Sequence, residues 1–92
     1  MASLIGFSFS KRALEDLEAI SSRERAQVIK KAKALMLDPR PNGYIQMKGV
    51  KSNAGEPVFR DRSGDYRIFY VVRKNPETVV ILGIGNRKDV YR

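Results

Sequence analysis

The stretch "PVFRDRSGDYRIFYVVRKNPETVVILGIG", from Pro57 to Gly85, decides the fold. It divides into "PVFRDR", "DYRIFYVVR" and "TVVILGIG", each rich in β-branched and aromatic residues, and each predicts a strand. The separators "SG" and "KNPE" carry turn chemistry. Strands joined by so few residues must run antiparallel. Alternation in the middle strand puts Tyr66, Ile68, Tyr70 and Val72 on one side, facing the core, with Arg67, Phe69, Val71 and Arg73 on the other. Arg60 and Arg62 are two apart and share a side of their own strand.

Upstream, "LIGFSFS" (Leu4–Ser10) predicts a further strand bearing Phe7 and Phe9 on one face. Ser10 can cap a helix whose buried stripe is Ala13, Leu14, Leu17 and Ile20. Ser21 or Ser22 caps a second helix, Arg23–Leu37. It buries Val28, Ile29, Ala32, Leu35 and Met36 and displays Arg23, Arg25, Lys30, Lys31 and Lys33. Asp38-Pro39 stops it, because Pro39 disfavours helical geometry at the residue before it. "PRPNGYIQMKGVKSNAGEP" predicts a long loop with at most a short strand near Tyr44–Met47. The expected architecture is α+β: an N-terminal strand and a two-helix hairpin packed on a small antiparallel sheet, one domain over residues 1–92.

Composition narrows the chemistry. Ninety-two residues suffice for one modest core. The absence of cysteine excludes disulfides and thiolate nucleophiles. The absence of histidine removes the commonest acid–base group near neutral pH. No carboxylate spacing builds an oxygen cage for a metal, and "GIGNR" lacks the ending of a phosphate loop, so no metal or cofactor is expected. No signal sequence or membrane-spanning run is present, and the simplest reading is a cytoplasmic protein that does not bind membranes. Eighteen basic against ten acidic residues give +8, an excess that attracts nucleic acid or another polyanion.

Placement sharpens that inference. If the hairpin register brings Arg60 or Arg62 beside Arg67, guanidinium groups crowd one surface, which is unfavourable unless an anion joins them. The apolar last strand then empties into "GNRKDVYR", bringing Arg87, Lys88 and Tyr91 toward the same place. An open sheet face also carries arginine simply because it is wet. The preference for arginine over lysine in this meander favours a phosphate site, since the planar fork of arginine matches phosphate oxygens.

"FRDRSGDYRIFY" and "VVILGIGNRKDVYR", behind a helical hairpin ending in "LDP", resemble the RelE/ParE toxin superfamily, most closely its RelE branch, over Phe7 to Arg92. The resemblance implies a RelE-like, microbial-RNase-like fold. It implies a toxin of a type II toxin–antitoxin system that cleaves messenger RNA on the ribosome without a metal. Its implied partners are the ribosome, mRNA and a cognate antitoxin with an acidic, partly disordered segment. By motif, Arg67 matches a phosphate-binding catalytic arginine, Arg87 the arginine ending the last strand, and Tyr91 the tyrosine of the terminal "VY". Arg60 and Arg62 match two basic strand positions. The chain departs from its relatives at Asn86, where many carry histidine, and at Asp61, where an apolar residue is usual. It also ends just after Tyr91, without the extra helix of some relatives, which is expected to leave the site open.

Cleavage through the 2′-hydroxyl needs a base, stabilisation of a dianionic phosphorane, and a proton for the 5′-oxygen. Arg67 suits the second task, with Arg60 or Arg62 and Lys88 on neighbouring phosphates and Arg87 toward the leaving oxygen. The base stays open. Tyr91 could act as phenolate or stack on a nucleobase. Asp61, Asp89 and Glu56 are weaker candidates, better suited to pairing with arginines. Two other functions fit the same residues: a ParE-like toxin that inhibits DNA gyrase by binding, and a non-catalytic basic RNA-binding module.

Overall fold

A computed structural model of the protein describes residues 6–41, 44–74 and 77–86. Its elements run β1 (Gly6–Phe9), α1 (Lys11–Glu18), α2 (Ser22–Leu37), β2 (Ile45–Lys51), β3 (Pro57–Ser63), β4 (Tyr66–Arg73) and β5 (Thr78–Asn86). The strands form one sheet in the order β1-β5-β4-β3-β2. The meander is antiparallel as its short turns require, and Gly64 takes the left-handed conformation in the two-residue β3–β4 turn. β1 pairs parallel to β5, so the sheet is mixed. A connection that leaves through two helices can return a strand in either sense, which turn length cannot reveal.

Both helices sit where their caps place them. The Ser10 hydroxyl accepts the Ala13 N–H (3.1 Å) and donates to the Leu82 carbonyl (2.8 Å), so one side chain both starts α1 and ties it to β5. Ser21 caps α2, and Asp38 leaves it in extended geometry ahead of Pro39. Arg25 is consumed structurally. Its guanidinium donates to the carbonyls of Leu17 (2.8 Å), Ile20 (3.0 Å) and Glu18 (3.3 Å), filling acceptors that the end of α1 leaves open. None of the described helices is long and apolar enough to cross a membrane.

The helix-facing core gathers Ala13, Leu17, Ile20, Val28, Ala32 and Leu35 against Ile68, Tyr70, Val79, Ile81 and Ile84. Leu14, expected in the buried stripe, is half exposed, because α1 is only two turns long and rests on the Ala13–Leu17 edge. Tyr70 is fully buried, and its hydroxyl donates to the Pro39 carbonyl at 2.6 Å.

The opposite face is not simply wet. Val58, Phe69, Val71 and Val80 are buried there, joined by Met47, Val50 and Leu82. Two irregularities shape it. Between Gln46 and Lys51, β2 spends five steps against two on β3, with Gly49 at φ 73°, and this bulge lays Met47 and Val50 over the face. In β5, Leu82 is inserted between Ile81, opposite Tyr70, and Gly83, opposite Phe69. The insertion resets the alternation, so Ile84 returns to the helix side while Leu82 stays on the other. The sheet curls into a trough. Replacing Ser10 with alanine should cost about 1–2 kcal/mol, read as a lowered midpoint in urea unfolding at unchanged slope, since the cap and the fastening to the β5 bulge go together.

Candidate functional site

Of the arginines predicted to converge, Arg60, Arg62 and Arg67 lie on one face of the sheet, and Arg87 lies outside the described residues. On β3, Val58, Arg60 and Arg62 face the trough, and on β4 Arg67, Phe69 and Val71 do the same. The register sets Arg62 directly opposite Arg67 and Arg60 opposite Phe69. Opposed residues bring Cβ atoms to about 5 Å, so two guanidinium groups share one patch. Arg60 responds to this crowding: burial, then the neighbouring charges of Arg67 and Arg62, hold its guanidinium below the usual arginine range. On the β5 side, Gly85 stands opposite Arg67 and Gly83 opposite Phe69. No side chain rises there to fill the trough.

Arg67 carries the clearest sign of an absent ligand. Its Nε is buried and finds no hydrogen-bond partner among the described residues. A buried donor left unpaired costs about 1–3 kcal/mol, and a charged one more, so the position is unfavourable until an acceptor arrives. A pocket of about 250 Å³ opens beside it, lined by Arg62, Gly64, Asp65, Tyr66 and Arg67. A phosphate would supply acceptor oxygens to the Nε and negative charge to all three arginines at once.

The remaining candidates separate. Asp61 is turned the other way: it is 4% exposed on the helix-facing side, where its carboxylate accepts the Arg62 backbone N–H (2.8 Å) and lies 3.6 Å from Lys31 Nζ. It is therefore no base for the arginine face. Glu56 takes the Arg73 Nε at 3.0 Å and the Ser52 hydroxyl at 2.9 Å, which removes both Glu56 and Arg73 from the site. Asn86 stands opposite Tyr66 and hydrogen-bonds its phenol, on the side away from Arg67. Tyr66 itself is held protonated above the ordinary tyrosine range, by burial first and by Glu24 next. Arg87, Lys88, Asp89 and Tyr91 lie outside the described residues. Among the described residues, no three histidine, cysteine or carboxylate side chains converge to hold a metal ion.

What the sequence reading missed is the apolar floor. Val58, Phe69 and Val71 alternate with the core positions as wet-face residues would, and only their burial beneath Met47, Val50 and Leu82 shows them to be a second core that underlies the arginine face.

Residues 7–91 match the family described as the ParE toxin of the type II toxin–antitoxin system, parDE. The putative toxin RelE1 of Methanocaldococcus jannaschii is 27% identical over 82 residues, 89% of each chain. Among solved structures, the RelE–RelB complex of Pyrococcus horikoshii superimposes with a TM-score of 0.75 at 20% identity, covering 96% of this chain and all of that one. The toxin–antitoxin complex RelBE2 of Mycobacterium tuberculosis does so with a TM-score of 0.73 at 26% identity, covering 92% and 100%.

Proposed function

The chain belongs to the RelE/ParE superfamily of type II toxin–antitoxin toxins, and from this premise we propose that it is a metal-independent endoribonuclease that cleaves messenger RNA on the ribosome. The observation that carries the reading is the buried, unpartnered Nε of Arg67 beside Arg60 and Arg62. Such an arrangement is costly in the free protein and favourable once a phosphodiester occupies it.

In the proposed reaction the 2′-oxygen attacks phosphorus and gives up its proton, the P–O5′ bond breaks, and the 5′-oxygen is protonated. A 2′,3′-cyclic phosphate and a 5′-hydroxyl end result. Arg67 donates to the phosphorane oxygens as their charge grows, and its Nε is already buried without a partner among the described residues. Arg60 and Arg62 neutralise the adjoining phosphate. Arg87 is placed toward the leaving oxygen and Lys88 on a further phosphate, and the identity of the base stays open between Tyr91 and a carboxylate.

The partner follows from the same kinship. The superimposed RelE proteins were solved with RelB antitoxins, and a trough lined with arginine calls for an acidic antitoxin segment that orders on binding.

A second reading, inhibition of DNA gyrase by binding, is favoured by the ParE description of the matching family. Incubating the purified protein with mRNA-programmed ribosomes and mapping the RNA ends separates the two. Cuts in phase with codons are expected. Intact mRNA together with loss of gyrase supercoiling would establish the second reading instead.

A further inference from the structure

The trough holds a second cavity, about 460 Å³, lined by Ser10, Lys11, Arg12, Val50, Lys51, Ser52, Asn53, Val58 and Leu82. Its floor is apolar and its rim basic, and none of these lining residues is acidic. The rim comes from opposite borders of the sheet. Lys11 and Arg12 open α1 directly after the edge strand β1, whereas Lys51 ends β2, the strand at the other edge. Curling of the sheet brings them across from one another. Arg12 has Asp16 3.9 Å away, so the charge argument rests on Lys11 and Lys51.

The cavity continues the arginine row. Val58, on its floor, shares the trough face of β3 with Arg60 and Arg62. Four residue steps along the strand span about 13 Å from Val58 to Arg62. A polyanion with regularly spaced charges could contact the Arg62–Arg67 pair and the Lys11–Lys51 rim together. An acidic peptide would satisfy the lysines, but the apolar floor suits a nucleobase lying flat between two charged walls.

Resting on the reading of the arginine face as an RNA site, we propose that the Lys11/Lys51 cavity seats a nucleotide flanking the cleaved phosphodiester, its base on Val50 and Leu82 and its phosphate held by the two lysines. The site would thereby extend recognition beyond the scissile bond.

Fluorescence anisotropy with the full chain tests this, using fluorescein-labelled oligouridylates blocked against cleavage by 2′-O-methylation. An octanucleotide is expected to bind at least about tenfold more tightly than a trinucleotide, the gain of one stacked base and its phosphate. Lys11→Glu/Lys51→Glu should abolish most of that gain. Trinucleotide affinity should fall far less than that of the octanucleotide, because the Arg62–Arg67 pair lies beyond the screening length of about 8 Å at physiological salt. A gain that survives the double substitution, or no gain in the native protein, overturns the proposal while leaving the arginine site standing. Failure of both oligonucleotides to bind overturns the cavity proposal, and the mapping of RNA ends on programmed ribosomes then decides the arginine reading by itself. Binding of hexaglutamate, lost in the double variant, without any length gain for RNA would assign the cavity to an acidic peptide instead. Independently of the variant's folding, 4-thiouridine at the end of the octanucleotide should crosslink the native protein within residues 10–12 or 50–53, and crosslinks confined elsewhere would also refute it.

Discussion

Arg67→Ala is expected to lower the single-turnover rate of mRNA cleavage by about 10²–10³-fold, the usual loss when one preorganised donor to a developing oxyanion is removed. The reasoning starts from the strand. Arg67 is fixed at one end of β4 opposite both Arg62 and Gly85, so its fork cannot withdraw into solvent without leaving the trough. Its Nε is already buried and has no partner among the described residues. Donors held in this way strengthen as charge builds on phosphate and need no rearrangement when it does. Arg67→Lys should recover only part of the rate, because it restores charge without the bidentate fork. Arg73→Ala supplies the control: the same residue type on the same strand, occupied by Glu56 and expected to leave the rate unchanged. Stability should move the other way. Removing Arg67 discards an unsatisfied buried donor and relieves the repulsion felt by Arg60, so the urea midpoint should hold or rise. A variant that cleaves as fast as the native protein would remove Arg67 from the mechanism.

The second large effect concerns stability. Lys31→Ala is expected to destabilise the protein by about 2 kcal/mol. That lies below the 3–5 kcal/mol typical of a fully buried pair, because the Lys31 side chain remains 39% exposed. The cost arises at the other partner. Asp61 is held at 4% exposure between α2 and the sheet, and its Oδ2 has no hydrogen-bond partner among the described residues, only the ammonium 3.6 Å away. Without Lys31 an unpaired carboxylate stays in the core. Adding Asp61→Leu should return most of the loss, since an apolar side chain of similar volume suits the core there. A double-mutant cycle in urea isolates the coupling, and additive losses would show that the pair contributes nothing. The link matters for function as well, because Asp61 sits between the two β3 arginines and fixes that strand against α2.

Much of this molecule is legible in one dimension. The period-two pattern of "DYRIFYVVR" assigns Tyr70 to the core and Arg67 to the opposite face, and both assignments hold. Serine ahead of an apolar stripe marks the start of each helix, and Ser10 and Ser21 are the caps. Each of these follows from interactions within a few residues, which sequence spacing encodes directly. The separator "SG" leaves open whether Arg60 or Arg62 meets Arg67; the turn falls at Gly64 and Asp65, and that one-residue shift pairs Arg62 with Arg67.

Other features depend on partners that sequence distance hides. Alternation puts Asp61 opposite to its arginine neighbours, but only the packing of α2 supplies Lys31, thirty residues away, to pair with it. Leu14 matches the helical stripe and is exposed, because α1 is too short to bury both flanks of its apolar face. The inserted Leu82 and the bulge around Gly49 bend the sheet, and neither departs from strand composition. Their consequence is the trough, which brings the end of β1 across from the end of β2. The residues alone thus determined the strand faces, which rest on local periodicity, and carried the motifs by which the chain resembles its family. Tertiary structure alone decided the depth and floor of the site and which charges face it, because curvature and burial sum contacts from both edges of a sheet.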